Sequence, residues 1–158
     1  MSNILPTRPR QMMQRRAFAI VASQYNQEYV KGLVDHATEE LNNISPGAAI
    51  NVYEVPGAFE IPMIVQELAA RGGVEAIIAL GVIIRGETEH ADLIGKAVTH
   101  ALLDAGLRYR IPVIHEVLLL SNEEQARARC LDAELNRGTE AARIAVKMVQ
   151  AIAEFKNH

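Results

Sequence analysis

The sequence has a single cysteine, Cys130, in 158 residues. That excludes an internal disulfide and a cysteine-built zinc site. No apolar run reaches membrane-spanning length, because Arg85 breaks the longest one. Positive charge is not in excess either: the formal net charge is −3, which gives no general attraction to nucleic acid or to an anionic membrane. Acidic residues are missing before Glu28, where Arg8, Arg10, Arg15 and Arg16 stand. That stretch lacks the apolar core of a secretory signal, so residues 1–16 are expected to form a flexible basic arm and the expected location is the cytoplasm. His36, His100 and His158 show no metal-ligand spacing, and no metal is expected. Asp104, four residues after His100, is expected to pair with it. Internal repeats, low-complexity segments and linkers are absent, so residues 17–158 are expected to form one domain with a sizeable core.

What the chain has is alternation. Ala17 to Ala22 reads as a short apolar strand, followed by a helix with Val30, Leu33, Val34, Ala37 and Leu41 at helical spacing. Ser45-Pro46-Gly47 makes a turn and Ala49 to Val55 a second strand. Pro62 suits the first turn of the next helix, where its missing N–H is harmless, and Arg71-Gly72-Gly73 closes that helix. Ala76 to Ile84 is a continuous apolar run, the mark of a strand buried on both faces. Thr88 is the expected N-cap of a helix running to about Ala105, with Gly106 ending it. Ile111 to Leu120 is the fourth strand. Ser121 or Asn122 caps a short helix from Glu123 to about Leu131. A last helix from about Gly138 carries Ala141, Ala145, Met148, Val149, Ile152 and Phe155 on one face. Strands alternating with helices through short loops predict an α/β protein: a three-layer α/β/α, flavodoxin-like open sheet of four parallel strands.

Such sheets bind ligands at the carboxyl ends of their strands. Three segments arrive there: Ser23-Gln24-Tyr25-Asn26, Pro56-Gly57-Ala58-Phe59-Glu60 and Arg85-Gly86-Glu87-Thr88-Glu89-His90. Together they offer an aromatic face, a buried carboxylate, free backbone amides and an imidazole, a set suited to a planar polar ring bearing hydroxyls with a phosphate nearby. Gly86 and the helix start suit the phosphate, and His90 stands in the first turn beside it. Two further absences narrow the choice. A phospho-accepting receiver domain needs an acidic cluster at the ends of strands one and three, where Ser23 and Gly81 stand. A flavodoxin needs a Thr/Ser/Gly-rich phosphate loop after strand one, and Gln24-Tyr25-Asn26-Gln27 does not provide it.

Two motifs, Val55-Pro56-Gly57-Ala58-Phe59-Glu60-Ile61-Pro62 and Gly81-Val82-Ile83-Ile84-Arg85-Gly86-Glu87-Thr88-Glu89-His90, closely resemble the lumazine synthase family. The resemblance runs from about Phe18 to Phe155. It implies a 6,7-dimethyl-8-ribityllumazine synthase, the penultimate enzyme of riboflavin biosynthesis. Such an enzyme condenses 5-amino-6-(D-ribitylamino)uracil with 3,4-dihydroxy-2-butanone 4-phosphate, releases phosphate and water, and needs no metal or organic cofactor. It further implies that Tyr25, with Asn26 beside it, stacks on the pyrimidine, and that Ala58, Phe59 and Glu60 hold the ring and ribityl chain. Val82, Ile83 and Ile84 match the backbone edge that reads the pyrimidine. Gly86, Glu87 and Thr88 match the phosphate-facing segment, His90 the proton-transfer residue, and Arg129 the guanidinium that clamps phosphate. A planar guanidinium suits phosphate through two hydrogen bonds, and a helix amino end disfavours imidazolium, leaving His90 able to accept a proton.

The chain departs from the family pattern at three places. His115-Glu116 replaces an aromatic followed by glycine, with His115 still able to stack on the pyrimidine. Arg137 replaces the usual lysine of the uracil site. Cys130 to Leu135 replaces a glycine- and lysine-containing link that shapes the packing of pentamers into shells. The first departure motivates an alternative, a non-catalytic flavin- or lumazine-binding protein on the same scaffold. A phosphosugar-handling enzyme with another substrate is a third reading. His115 lies early in the fourth strand and Arg129 a helix further on, so one chain struggles to bring both to the crevice. The family places its site between adjacent subunits, and the apolar share of 49% leaves room for such an interface. A homopentamer, alone or stacked as a decamer, is the expected assembly, with shells less expected.

Overall fold

Phe18, Ile20 and Ala22 point to one side of the first strand and Ala19 and Val21 to the other, and all five are buried. The third strand repeats the arrangement, with Ala76, Ile78, Leu80 and Val82 against Ile77 and Ala79. Strands buried on both sides require helices above and below. The computed structural model describes residues 2–158 and shows that sandwich. Its elements are β1 (Ala17–Ser23), α1 (Gln27–Ile44), β2 (Ala49–Val55), a 3-10 turn (Ala58–Glu60), α2 (Ile61–Arg71), β3 (Ala76–Ile84), α3 (His90–Tyr109), β4 (Val113–Leu120), α4 (Glu123–Cys130) and α5 (Arg137–Lys156).

The strands pair in parallel in the order β2-β1-β3-β4. Helices α1, α4 and α5 cover one face, α2 and α3 the other. The chain steps outward from β1 to β2 and then back across to β3, so the carboxyl end of the β1–β3 pair is the switch point where such folds open a crevice. Backbones meet closely on the α1 face. A Cβ added at Gly138 would lie 2.1 Å from the Leu33 carbonyl oxygen, and one at Gly32 would lie 2.3 Å from that of Cys130. Only glycine lets α5 and the end of α4 press onto α1 this closely.

The helix starts and stops depart from the sequence reading in several places. Glu89, not Thr88, occupies the N-cap of α3, and no side chain caps that end. Gly106 lies inside α3, which runs on to Tyr109 and stops at left-handed Arg110 (φ 55°). Gly106 marks a tight packing position instead: an added Cβ would sit 3.2 Å from the Ile111 carbonyl oxygen where the chain turns back into β4. Asp104 pairs with Arg108 at 3.5 Å rather than with His100. On α5, Ala141, Ala145 and Val149 are buried as the spacing predicts, but Met148 is 41% and Phe155 86% exposed.

Residues 2–16 form no helix or strand, yet they do not stand free as an unattached arm. The Arg8 guanidinium donates twice to Glu40 of α1, at 2.7 and 2.9 Å. Arg143 of α5 donates to the same carboxylate at 2.8 Å and to the Pro6 carbonyl at 2.7 Å. Met12 is buried and its N–H donates to the Ile44 carbonyl. Burial pushes the Glu40 carboxyl up, but the two arginines outweigh it and hold the group below its usual range. The basic character of this stretch is thus matched by an acid on α1, a partner that local sequence does not reveal.

Candidate active site

The three strand-end segments do come together. The Gln24 N–H donates to the Val55 carbonyl at 2.8 Å and the Tyr25 N–H to the Pro56 carbonyl at 3.1 Å, so the chain after β1 continues alongside the chain after β2. Tyr25 and Phe59 project from these neighbours with 74% and 61% of their surface exposed. Ala58 is half-buried at the start of the 3-10 turn. Glu60 is exposed, which corrects the expectation of a buried carboxylate. Its side chain stays close, since a Cβ on Gly57 would meet Glu60 Oε2 at 2.9 Å.

Strand lengths create an edge here. Pairing of β1 with β3 ends at Ala22 and Leu80, whereas pairing of β3 with β4 continues to Ile84 and Leu120. The last residues of β3 therefore overhang β1. In a parallel ladder, alternate residues address alternate neighbours. The Ile77 and Arg85 N–H groups donate to carbonyls on the β4 side, so Ile83 faces β4 and the main-chain groups of Val82 and Ile84 face the open edge. Asn26, held in a left-handed conformation (φ 58°), fills part of that edge, its Nδ2 donating to the Val82 carbonyl at 2.8 Å. Of the three expected reading residues, Val82 and Ile84 offer free-edge backbone. Ile83 offers its half-buried side chain.

Beyond the overhang, Gly86, Glu87, Thr88, Glu89 and His90 are all exposed, and His90 is the first residue of α3. The amides of that first turn lack a capping side chain, so they remain available to an anion. Arg85 does not point freely into the loop. It pairs with Asp92 at 3.0 Å, tying the end of β3 to α3 across the segment between them.

The remaining expected residues lie elsewhere. His115 pairs with Ala79 in the sheet register, three residues before the level of Val82 at the crevice edge and five before β4 ends. It faces α3, its Nε2 2.7 Å from Thr99 Oγ1, and burial pushes its imidazole below the usual range, favouring the neutral ring. Arg137 is 1% exposed. Its guanidinium donates to Glu140 and to the Ser2 carbonyl. Arg129, half-buried, keeps a buried Nε without a hydrogen-bond partner. Arg129 adjoins Cys130, which packs on Gly32, and Arg137 adjoins Gly138, which packs on Leu33. Among the described residues, none of His115, Arg129 and Arg137 shares a hydrogen bond or ion pair with the strand-end group. The strand-end residues form one group, while His115 faces α3 on one side of the sheet and Arg129 and Arg137 lie in α4 and at the start of α5 on the other.

Sequence reasoning passed over Asp92 and Glu140, each the partner of an arginine it had singled out, and gave Glu116 no role. Glu116 had a signal: it interrupts the alternation Ile114, Leu118, Leu120 on the strand face packed toward α5. Next to it, a cavity of about 950 Å³ opens along the outer edge of β4 between α3 and α5. His115 and Glu116 form part of its floor, and Leu103, Leu107, Met148 and Phe155 part of its wall. Burial and the neighbouring Glu140 push the Glu116 carboxyl up to about 8 against the opposing pull of Arg137. Burial pushes the Cys130 thiol up to about 12. Among the described residues, no three His, Cys, Asp or Glu side chains are grouped to hold a metal, and no helix is long and apolar enough to cross a membrane.

Comparison with known proteins agrees with this geometry. Residues 15–153 match the family model described as 6,7-dimethyl-8-ribityllumazine synthase. Proteins of that name from Burkholderia vietnamiensis and Burkholderia cenocepacia are each 40% identical over 130 residues, covering 82% of this chain and 75% and 74% of theirs. The protein of that name from Burkholderia multivorans is 39% identical over the same length, covering 82% of this chain and 73% of its own. Among solved structures, a GDP-L-fucose synthetase from Naegleria fowleri covers 97% of this chain and 47% of its own at 11% identity and a TM-score of 0.41, a likeness too slight to carry an argument.

Proposed function

The chain belongs to the 6,7-dimethyl-8-ribityllumazine synthase family, and from that premise we propose that two copies of it complete one active site. The enzyme condenses 5-amino-6-(D-ribitylamino)uracil with 3,4-dihydroxy-2-butanone 4-phosphate, releasing phosphate and water. In the proposed site, one copy contributes the strand-end crevice. Tyr25 stacks on the pyrimidine, with Asn26 beside it. The open edge at Val82 and Ile84 and the side chain of Ile83 take the ring, while Ala58, Phe59 and Glu60 hold ring and ribityl hydroxyls. Gly86, Glu87, Thr88 and the free amides of α3 receive the phosphate, and His90 transfers the proton. The neighbouring copy contributes His115, Arg129 and Arg137. Holding two reactants together supplies most of the acceleration.

The observation that supports the shared site is that His115, Arg129 and Arg137 share no hydrogen bond or ion pair with the strand-end group among the described residues. His115 faces α3 from the middle of β4, roughly 10 Å of strand rise before the level of Val82, and Arg137 is tied to Glu140 and the Ser2 carbonyl. The exposed apolar wall of the β4-edge cavity, with Leu107 70% and Phe155 86% exposed, is the kind of surface that a second copy covers. A homopentamer, alone or stacked in pairs, and a cytoplasmic location belong to the same proposal. The purified protein mixed with both substrates is expected to release phosphate and build lumazine absorbance, and light scattering to report a pentamer or its multiple. An active, stable monomer would refute the shared site. Tight product binding without phosphate release would instead favour a non-catalytic lumazine-binding protein, which the His115-Glu116 departure otherwise suggests.

A further inference from the structure

Glu116 is a buried acid that the proposed site leaves unused. It faces the α5 layer from β4, between Ile114 and Leu118, and forms part of the floor of the β4-edge cavity next to His115. The ionisable groups around it are Arg137 and Glu140 on α5 and Cys130 on α4, and Tyr109, Arg110, His115 and Lys156 line the same cavity. Its partner on β3 is apolar Leu80, and α3 lies on the opposite sheet face, where it meets His115. Arg137 is engaged with Glu140 and the Ser2 carbonyl. Glu116 is 9% exposed. Its carboxyl has no hydrogen-bond partner among the described residues, and its oxygens are not fully enclosed but open into the cavity. A carboxyl that opens into a cavity without a protein partner is free to pair with a ligand placed there.

We infer that Glu116 is a specificity-determining residue of the shared site, holding the amide edge of the uracil ring through a pair of hydrogen bonds. Its O–H donates to a ring carbonyl while its C=O accepts from the adjacent ring N–H. The inference rests on the shared-site reading, since the ring would be presented by a neighbouring copy. The group's chemistry fits, because with its carboxyl pushed up to about 8 it is the neutral acid at pH 7 and offers both donor and acceptor. Ionised, it has no donor to offer and repels the phosphate-bearing substrate.

The test is calorimetric binding of 5-amino-6-(D-ribitylamino)uracil alone, under argon, to the assembled enzyme at pH 7 and pH 9.5. Glu116→Ala is expected to weaken binding at pH 7 roughly 10-fold, with KM for the butanone phosphate unchanged. Glu116→Gln keeps a donor and an acceptor and should recover most of the affinity. It should also lose the weakening that the unsubstituted enzyme shows at pH 9.5. A purely structural role predicts neither the Ala–Gln split nor the difference in pH response. If Glu116→Ala binds the uracil as tightly as the parent while the parent turns over both substrates, the role of Glu116 is overturned and the shared site stands. If the parent binds no uracil, both fall. Should Glu116→Ala fail to assemble, the pH comparison between parent and Glu116→Gln decides, and identical profiles overturn the inference.

Discussion

The strand-end crevice and the arginine-bearing region on the α1 face solve opposite problems. In the crevice, Tyr25, Phe59, Glu60 and His90 are exposed and α3 begins without a side-chain cap. On the α1 face, Arg137 is 1% exposed and ion-paired, and two glycines bring backbones together. The first region leaves its polar and aromatic groups uncommitted, ready for a ligand. The second ties Arg137 to its own chain, with the Nε atoms of Arg129 and Arg137 left unpartnered. Substitutions should therefore divide: those in the crevice alter chemistry and leave the fold intact, and those on the packed side alter stability first.

The largest expected effect tests that division directly. Gly138→Ala drives a Cβ to 2.1 Å from a backbone oxygen and should cost about 3 kcal/mol or more. Gly86→Ala, where nothing lies within 4 Å of the added atom, should stay within about 0.5 kcal/mol of the parent. Urea unfolding midpoints measure both, and equal midpoints would break the comparison. Next, His90→Ala should lower kcat by roughly 10²-fold or less, because proximity survives the loss of one acid–base group, with an unchanged unfolding midpoint.

Arg129→Ala should raise KM for the butanone phosphate by about 10-fold while affinity for the uracil holds. Equal loss of both would assign Arg129 to the framework. Mixed oligomers of His90→Ala and Arg129→Ala subunits should regain some activity, since intact crevices then meet intact arginines. No recovery in verified mixtures would put both residues in one chain's site. The smallest effect belongs to Glu40. Its folded carboxyl titrates below the unfolded one, so its contribution is complete above about pH 4.5 and fades as pH falls through the folded value. Glu40→Gln should cost about 1 kcal/mol at pH 7, and the gap to the parent should close in melting curves as pH falls through the folded value.

The strands and their parallel arrangement were legible because a parallel sheet leaves a clear record: unbroken apolar runs such as Ala76 to Ile84, with glycine and proline punctuation between them. Helix ends were less legible. Gly106 looked like a stop, but its smallness serves the turn back into β4, a tertiary demand that overrides local preference. The crevice residues were legible because they are contiguous in sequence at strand ends. The signal of Glu116 was a break in alternation without a visible partner. Asp92 and Glu140 pair with arginines only seven and three residues away, yet nothing in the local pattern says which charge each will meet. Glu40 is the clearest case: its two arginines are 32 and 103 residues away.

That last pair has a consequence for the order in which the molecule is made. The segment leading into β1 leaves the ribosome before the rest of the fold, but it is bound by Arg143, which is 137 residues later than Pro6. At ordinary rates of synthesis the gap is on the order of ten seconds, during which Arg8 and Glu40 lack their third member. The opening stretch must therefore wait in solvent and dock among the last pieces, as a seal over a sheet already formed. Protease added to stalled nascent chains should cut near Arg15 and Arg16 until α5 has emerged, and spare that stretch afterwards.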